Sequence, residues 1–330
     1  MTWSQLDWNA LDRLRAGFLS GSAAAGPYWQ SSSDLASYDF TYGARIGWKW
    51  EAVLAELRLR NWRPSARSVL DWGCGSGVAA RRVLAAFGGS DHFNQLHVWD
   101  HSPLAVDFAV AAAQAEFPKL NVASAPSAML QGDVPIGLLV ISHVLNELNP
   151  AARAQLDGLI ARSSAVLWVE PGTHEVSRQL GAIRETLRAT FKVIAPCTHA
   201  GDCGMFLAEH TRDWCHFFAP PPSEIFATPD WVKFGQRAGI DLRSLPYAFL
   251  ALDRVPASSA PAELSRIIGR PEHFKPYARF LNCDASGLEE LELLKRSDPA
   301  LYKQLDRAKG PLIYRWNRTG DKVQGGEPLT

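Results

Sequence analysis

Residues 67–77 have the sequence RSVLDWGCGSG. Its apolar first half predicts a buried strand, and a helix is predicted to follow from about Gly77 to Phe87. The glycines between the two elements allow a tight turn and let a ligand approach the backbone closely. The first turn of a helix also offers unpaired N–H groups to an anionic group. This stretch therefore predicts a ligand-binding turn between a strand and a helix.

Short apolar runs alternate with helical segments from this stretch onward. Strands are predicted at RSVLDWG, QLHVWD, LNVASAP, IGLLVISHVL and AVLWVEP, and LPYAFLALDR is predicted to return to the same sheet. Strands that alternate with helices of ordinary length indicate parallel βαβ units and an α/β fold. Before the alternation, apolar residues recur at helical spacing, so the first 60 residues are predicted to be helical.

A second acidic residue ends the next predicted strand, where Asp100 lies 23 residues after Gly77. A carboxylate there can accept hydrogen bonds from both ribose hydroxyls, and Asp71 suits a ligand with an ammonium group. NAD fits less well, because its fingerprint requires a glycine where Val78 stands. A glycine turn that only packs helix on strand is a third interpretation. We favour S-adenosylmethionine, with these candidate binding residues: Asp71, Gly73, Gly75, Gly77 and Asp100.

These patterns predict a Rossmann-like class I methyltransferase core with a helical N-terminal segment, a cysteine-rich insertion and a small C-terminal extension. The expected boundaries are 1–60 for the N-terminal segment, 61–256 for the adenosylmethionine-binding domain, about 192–228 for its insertion, 257–320 for the extension and 321–330 for a loose tail. A long irregular insertion of this kind needs a function or an internal staple.

The acceptor side of the site is predicted at SHVLNEL, residues 142–148, which ends the fourth core strand and should lie beside the sulfonium. Ser142 is therefore included among the cofactor-binding residues. The segment is not the Asn/Asp-Pro-Pro-aromatic motif that holds an exocyclic amine for methylation, so it does not identify an acceptor atom. Asn146 and Glu147 are candidate catalytic residues, and capping of the next segment is an equal alternative for Asn146.

The composition is that of a globular protein, with 47% apolar and 21% charged residues. The formal net charge is zero, so no global basic field indicates nucleic acid, although a local basic face remains open. The N-terminal residues resemble neither a signal peptide nor a transit peptide, and the apolar stretch around 135–145 is too short to span a bilayer. We expect a soluble, cytoplasmic monomer that does not contact membranes.

Five cysteines in such a chain favour metal binding or catalysis over disulfides. Cys197, Cys203 and Cys215 fall within 19 residues, in a segment that shows no other means of holding itself together, and Cys283 is a distant fourth candidate. Clustered thiolates indicate zinc or an iron–sulfur cluster. Cys74 is interpreted as a small side chain inside the glycine turn.

The C-x5-C-x11-C spacing differs from the usual zinc pair, which favours a cluster. Three histidines keep a mixed zinc site open: His199, His210 and His216. Three unrelated buried cysteines are the remaining alternative. Cys197 also follows a proline, as the nucleophile of RNA cytosine-C5 methyltransferases does, but that motif follows the fourth core strand and this one comes later.

The sequence resembles a methyltransferase-like family associated with the mitochondrial small ribosomal subunit, which has bacterial members. The resemblance covers roughly residues 40–316 and is carried by YGARIGWKWEAVLAEL, VLDWGCGSG, SHVLNEL, VEPGT, APCTHAGDC, DWCHF and RFLNCD. It implies a role in small-subunit assembly and translation, with contact to the ribosomal RNA. It also implies a 4Fe–4S cluster on the four cysteines, although the gap between Cys203 and Cys215 is longer than is usual in that family.

The extension is mildly basic, with eleven basic and seven acidic residues from Arg266 to Arg318. Phosphate contacts and an ordinary solvated surface explain this equally well. Within it, residues 277–283 and 311–316 are predicted to be β-like, and residues 288–296 are a candidate charged helix. Two functions remain: an rRNA methyltransferase, or a non-catalytic assembly factor that binds adenosylmethionine and an iron–sulfur cluster.

Overall fold

The computed structural model of the 330-residue chain describes residues 1–21, 26, 28–255, 263–307 and 310–330. Two features of the sequence analysis fall outside the described residues. They are the boundary at 256–257 and the basic residue Lys309.

Three helices precede the first strand, as the predicted fold class requires: α1 (Trp8–Ser20), α2 (Ser32–Tyr38) and α3 (Ala44–Leu59). Asp7 and Ser31 cap the first two, because their side chains accept hydrogen bonds from backbone N–H groups in the first turn. A π-helical turn over Asp39–Gly43 joins α2 to α3.

Five parallel strands follow: β1 (Ser68–Trp72), β2 (Gln95–Trp99), β3 (Asn121–Ser124), β4 (Ile136–Ser142) and β5 (Ser163–Pro171). The helices between them are α4 (Val78–Ala86), α5 (Gly89–His92), α6 (Pro103–Glu116), α7 (Ser127–Gln131) and α8 (Pro150–Arg162). In the register, Asp71 of β1 lies opposite Val98 on one side and Val140 on the other. The carboxyl ends of β1, β2 and β4 therefore meet at one edge, where such sheets bind ligands.

The chain continues through α9 (His174–Leu187), β6 (Lys192–Ala195), β7 (Phe217–Ala219), α10 (Glu224–Ala227), α11 (Pro229–Ala238) and β8 (Leu245–Asp253). The eight-stranded sheet has the order β3-β2-β1-β4-β5-β8-β6, with β7 also paired to β8. β6 runs antiparallel to β8. A parallel sheet of this order, whose last pair β8–β6 is antiparallel, confirms the class I methyltransferase fold predicted from the sequence.

The C-terminal extension is a closed barrel of five strands, β9 (Ser265–His273), β10 (Tyr277–Asp284), β11 (Gly287–Leu294), β12 (Ile313–Thr319) and β13 (Lys322–Pro328), with α12 (Pro299–Asp306) between β11 and β12. Around the barrel the order is β10-β11-β13-β12-β9, and only the β11–β13 pair is parallel. This strand order and helix position are those of an OB-fold. Its core contains Phe280, Leu291, Leu293, Tyr314 and Val323.

Two sequence predictions for the extension are wrong. Residues 288–296 were expected to be a charged helix, but β11 covers most of them, because Leu291 and Leu293 point into the barrel and alternate with Glu290 and Glu292. That alternation has the period of a strand, not of a helix. The expected loose tail over residues 321–330 contains β13, which pairs with β12 and β11.

The chain forms two compact units, each built from three separate stretches. The first unit comprises Met1–Leu54, Arg63–Val169 and Pro221–Leu245, and the second comprises Ala55–Trp62, Glu170–Pro220 and Pro246–Thr330. Among the described helices, none combines the length and the apolar character that crossing a membrane requires.

Candidate functional site

The glycine turn in the first unit follows β1 directly and is anchored to the end of β2. The N–H groups of Gly73 and Cys74 both donate to the carbonyl of Trp99, at 2.8 and 2.9 Å. Gly73, Gly75 and Gly77 all have positive φ, at 72°, 50° and 74°. L-residues with a side chain adopt this region at a cost, so the turn requires glycine at these positions.

The three glycines differ in what surrounds them. A Cβ at Gly73 would lie 2.7 Å from Val144, and one at Gly77 would lie 2.9 Å from Ala109, so both are needed for packing. A Cβ at Gly75 would meet no atom within 4 Å. Gly75 is therefore the position in the turn where the backbone faces open space and a ligand could approach it.

Two carboxylates flank this turn. Asp71 is fully buried, its Oδ2 accepts a long 3.4 Å hydrogen bond from the N–H of Ala80, and its Oδ1 has no hydrogen-bond partner. Asp100 accepts hydrogen bonds from the N–H groups of Gly75 and Ser102, at 3.0 and 2.9 Å. Burial raises the pKa of both groups, that of Asp71 to about 7. An unpartnered buried carboxylate oxygen is costly and fits a cationic ligand group.

The predicted acceptor side lies at the end of β4. Ser142 Oγ accepts a hydrogen bond from Trp50 Nε1 at 2.9 Å, and the Nζ of Lys49 lies 3.3 Å from His143 Nε2. Burial, together with Lys49 and Arg45, lowers the pKa of His143 well below its usual value. His143 lies within the predicted SHVLNEL segment. The Lys49–His143 pair was not predicted, because no local pattern connects residues so far apart in the sequence.

Asn146 and Glu147 lie in a short 3-10 turn, Leu145–Glu147, after the end of β4. Asn146 is exposed and Glu147 is half-buried. The alternative that Asn146 caps the next helix is wrong, because Asn149 caps α8 by accepting a hydrogen bond from Ala152 N. Glu147 is one of the charges that raise the pKa of Tyr28, after burial itself.

An aromatic group from the N-terminal segment lies next to these strand ends. Tyr28 packs edge-on against His101, with ring centroids 5.8 Å apart, and Trp29 packs between Tyr28 and Tyr38. Burial raises the pKa of Tyr28, and the charges of Glu147 and Asp100 raise it further. The sequence did not predict these residues, because they precede the βαβ pattern from which the site was inferred.

The four predicted metal ligands are all in the second unit, and the thiols affect one another electrostatically. Burial is the main reason that the pKa of Cys215 is well above its usual value. The charges of Cys197, Cys283 and Cys203 raise that pKa further, in decreasing order. Cys283 Sγ also lies 3.7 Å from His199 Nε2. Cys74 belongs to a different environment, since its charged neighbours are Asp100 and Asp71.

Arginine side chains hold the cysteine-rich segment in place. Arg60 donates to the carbonyls of Ile194, Pro196 and Cys197 at 2.8–3.1 Å. Arg184 donates to the carbonyls of His199 and Gly201, and Arg178 donates to those of Met205, His210 and Asp213. The expectation that this segment has no means of holding itself together is therefore wrong, and these backbone carbonyls gave no signal in the sequence.

The donor geometry supports no metal-ion site. Among the described residues, no group of three or more His, Cys, Asp or Glu side chains is arranged to hold a metal ion. The described residues therefore do not support a zinc site completed by His199 or His216. The Nδ1 of His216 lies 3.0 Å from the carbonyl oxygen of Trp214 instead. Thiols such as these four are the donor chemistry that iron–sulfur clusters use.

Comparisons with known proteins give one family match. The family model described as mitochondrial small ribosomal subunit Rsm22 matches residues 44–309. No curated protein matches the chain.

Solved structures with similar folds include methyltransferases of low sequence identity. The plantazolicin methyltransferase BamL, solved with a desmethyl-plantazolicin analogue and SAH, has a TM-score of 0.41 and 14% identity, with 73% of this chain and 97% of that chain covered. The precorrin-6y C5,15-methyltransferase of Geobacter metallireducens has a TM-score of 0.37 and 12% identity, covering 62% and 86%. The 23S rRNA methyltransferase ErmE has a TM-score of 0.33 and 13% identity, covering 65% and 70%.

Proposed function

The chain belongs to the mitochondrial small ribosomal subunit Rsm22 family, and from this membership we propose that it is an S-adenosylmethionine-dependent, methyltransferase-like protein that acts on or with the small ribosomal subunit and its RNA. The observation that carries the cofactor part is the turn after β1, where Gly75 faces open space between two carboxylates.

The residues of this turn suit the two ends of the cofactor. The methionine end would lie over Gly73–Gly77, where the free Oδ1 of Asp71 is available to its ammonium group. Asp100 would accept from the ribose hydroxyls, since each carboxylate oxygen keeps a lone pair beyond its present hydrogen bond. When bound, S-adenosylmethionine supplies an electrophilic methyl group. Ser142 would lie on the acceptor side.

We also propose that Cys197, Cys203, Cys215 and Cys283 hold a 4Fe–4S cluster. Support comes from the common environment of the four thiols and from the separate environment of Cys74. A cluster fits better than a single ion, because each thiolate bonds a different iron and the sulfurs need not converge on one point. Such a cluster would connect the cysteine-rich segment to β10 of the barrel.

A non-catalytic assembly factor is the second candidate function. It is favoured by the end of β4, where Ser142 already accepts a hydrogen bond from Trp50 and His143 lies against Lys49. For catalysis, Asn146 and Glu147 are the proposed polar residues of the acceptor side. Both candidates share the fold and both ligands, and they differ only in whether a methyl group reaches RNA.

A methyl-transfer assay separates the two candidates. Purified protein is incubated with small ribosomal subunits and S-adenosylmethionine labelled in its methyl group, and RNA and protein are counted separately. Label in RNA that is lost with Asp100→Ala supports the enzyme. Absence of label, while the protein still sediments with the subunit and binds S-adenosylhomocysteine, supports the assembly factor. Absence of both binding activities would contradict the proposed function.

A further inference from the structure

The barrel has an exposed aromatic ring at one end, in the loop between β9 and β10. Phe274 is 39% exposed and stacks on Tyr277, with ring centroids 4.7 Å apart and an interplanar angle of 22°. Its backbone exchanges hydrogen bonds with that of Tyr277, and its carbonyl accepts another from Tyr302 Oη at 2.7 Å. The guanidinium of Arg279 lies 5.4 Å from the centroid of the Phe274 ring, and the exposed part of the ring faces solvent.

Three cations lie in this loop and directly after β11, and one of them, Lys295, has its Nζ 5.5 Å from the centroid of the Tyr302 ring. Lys275, Lys295 and Arg296 are exposed, and none forms an ion pair within the described part of the chain. The N–H of Lys295 donates to the carbonyl of Pro276, so the two loops lie side by side. We call residues 274–277, Lys295, Arg296 and Tyr302 the loop end of the barrel.

The acidic residues near the loop end are neutralised in part, because four carboxylates share two cations. Glu272 and Glu290 both pair with Arg279, and Glu292 and Asp321 both pair with Lys322. With Lys275, Lys295 and Arg296 included, these groups are five cations and four carboxylates, so the loop end and the ion pairs beside it carry a net charge of +1. A partner with regularly spaced negative charges is the chemistry that this surface fits.

The loop end lies at a position in the barrel that other OB-folds use to bind ligands. In OB-folds, the face of the second and third strands and the loops that join strands 1–2 and 4–5 bind oligonucleotides. Residues 274–276 form the first of these loops, and the second, at Gly320 and Asp321, lies beside β11, because Glu292 N donates to the carbonyl of Asp321. Both loops therefore border β11.

We propose that the loop end binds single-stranded RNA, with a base stacked on Phe274 and with Lys275 and Lys295 contacting phosphates. Stacking on exposed aromatic rings beside a basic groove is how such barrels bind single strands. A duplex does not offer an unstacked base to the ring. The proposal rests on the proposed function, which names the small-subunit RNA as the source. It adds that the bound RNA is single-stranded and that the loop end binds it.

The test measures fluorescence anisotropy of labelled, unstructured RNA of about 12 nucleotides on the full chain. Phe274→Ala should weaken binding by about tenfold, the loss expected for one stacked base. Phe274→Trp should bind with the affinity of the parent chain, because a larger ring still stacks on a base. The control is Phe226→Ala, which removes an exposed phenylalanine from the first unit and should leave affinity unchanged.

The charge contribution is tested by the salt dependence of the same binding. Lys275→Ala combined with Lys295→Ala should reduce the slope of log affinity against log salt by roughly 1.4, at about 0.7 per phosphate contact on a single strand. Lys119→Ala, an exposed lysine of the first unit, should leave the slope unchanged.

Two results would overturn the proposal: unchanged single-strand affinity in the Phe274 and lysine variants, or equal affinity for a duplex of the same length. Weaker sedimentation of Phe274→Ala with small subunits, at unchanged RNA affinity, would identify a protein-docking surface instead. S-adenosylhomocysteine binding and subunit association of the parent chain are measured in parallel. If these hold and single-strand binding fails, only this inference fails. If they fail and the Phe274 effect holds, the proposed function fails alone.

Discussion

Arg266 donates to both carboxylate oxygens of Glu56, although 210 residues separate the two in the chain. Both side chains are buried, and Arg60 pairs with the same carboxylate. Burial alone would raise the pKa of Glu56, but the two guanidinium groups hold it below its usual value. Since Arg60 also donates to carbonyls around Cys197, a buried ionic centre anchors the cysteine-rich segment.

Glu56→Ala should lower the free energy of unfolding by about 3–5 kcal/mol, because it leaves two buried guanidinium groups without their carboxylate. Urea unfolding followed by circular dichroism measures the change. The matched control is Asp12→Ala, which removes the partner of the exposed Arg237 and should have little effect. Equal effects of the two substitutions would show that the buried centre does not anchor the fold.

Asp100→Ala should weaken S-adenosylhomocysteine binding by roughly tenfold or more, the loss expected for hydrogen bonds to a charged group. The substitution removes the acceptor proposed for the ribose, and it also frees the N–H of Gly75. Calorimetry measures the affinity. Asp107→Ala, an exposed carboxylate on α6, serves as control. Unchanged affinity in the Asp100 variant would remove that residue from the site.

Alanine at Gly75 and at Gly77 should have different effects. Both positions have positive φ, which costs about 1–2 kcal/mol for a residue with a side chain. Only Gly77→Ala also pushes a Cβ against Ala109, so it should lower the melting temperature more. Gly75→Ala should mainly lower the affinity for S-adenosylhomocysteine. Loss of stability without loss of affinity in the Gly75 variant would contradict a ligand at this point of the turn.

The contribution of Asp71 to stability should fall as pH rises. Its pKa is about 7 in the folded chain and about 4 when unfolded. Below about pH 4 both states hold the proton. Between about 4 and 7 only the unfolded state releases it, so the folded state loses relative stability. Urea unfolding of the ligand-free protein at several pH values tests this, with Asp71→Asn as reference. A pH-independent difference between the two proteins would contradict it.

Cys283→Ser should lower the iron and sulfide content of anaerobically purified protein and increase proteolytic cleavage around Cys197. The reason is that the four thiols would share one cluster, whose loss frees the segment that it ties to β10. Cys74→Ser is the matched control and should leave the metal content unchanged, since Cys74 lies beside Asp71 and Asp100. One equivalent of zinc with no iron would contradict the cluster.

The sequence predicted features that depend on local backbone requirements. The glycine turn and the apolar strands of the sheet are of this kind, because positive φ and burial on both faces constrain residue choice directly. The β11 strand was missed because its glutamates resemble a charged helix, and only the barrel shows that Leu291 and Leu293 share a face. The arginine anchors were missed because they bind backbone carbonyls, which any residue supplies. The Lys49–His143 pair was missed because it forms only on folding.

The interleaving of the two units has a consequence for the order of synthesis. The second unit begins at Ala55 but lacks its last strand until Pro328 has been added. At about 5–20 residues per second, a ribosome needs roughly 10–40 s to extend the chain from Glu56 to Arg266. During that interval Glu56 has Arg60 four residues away but lacks its second cation. The second unit is therefore completed only after Pro328 has been added, and neither unit can be expressed as one continuous fragment.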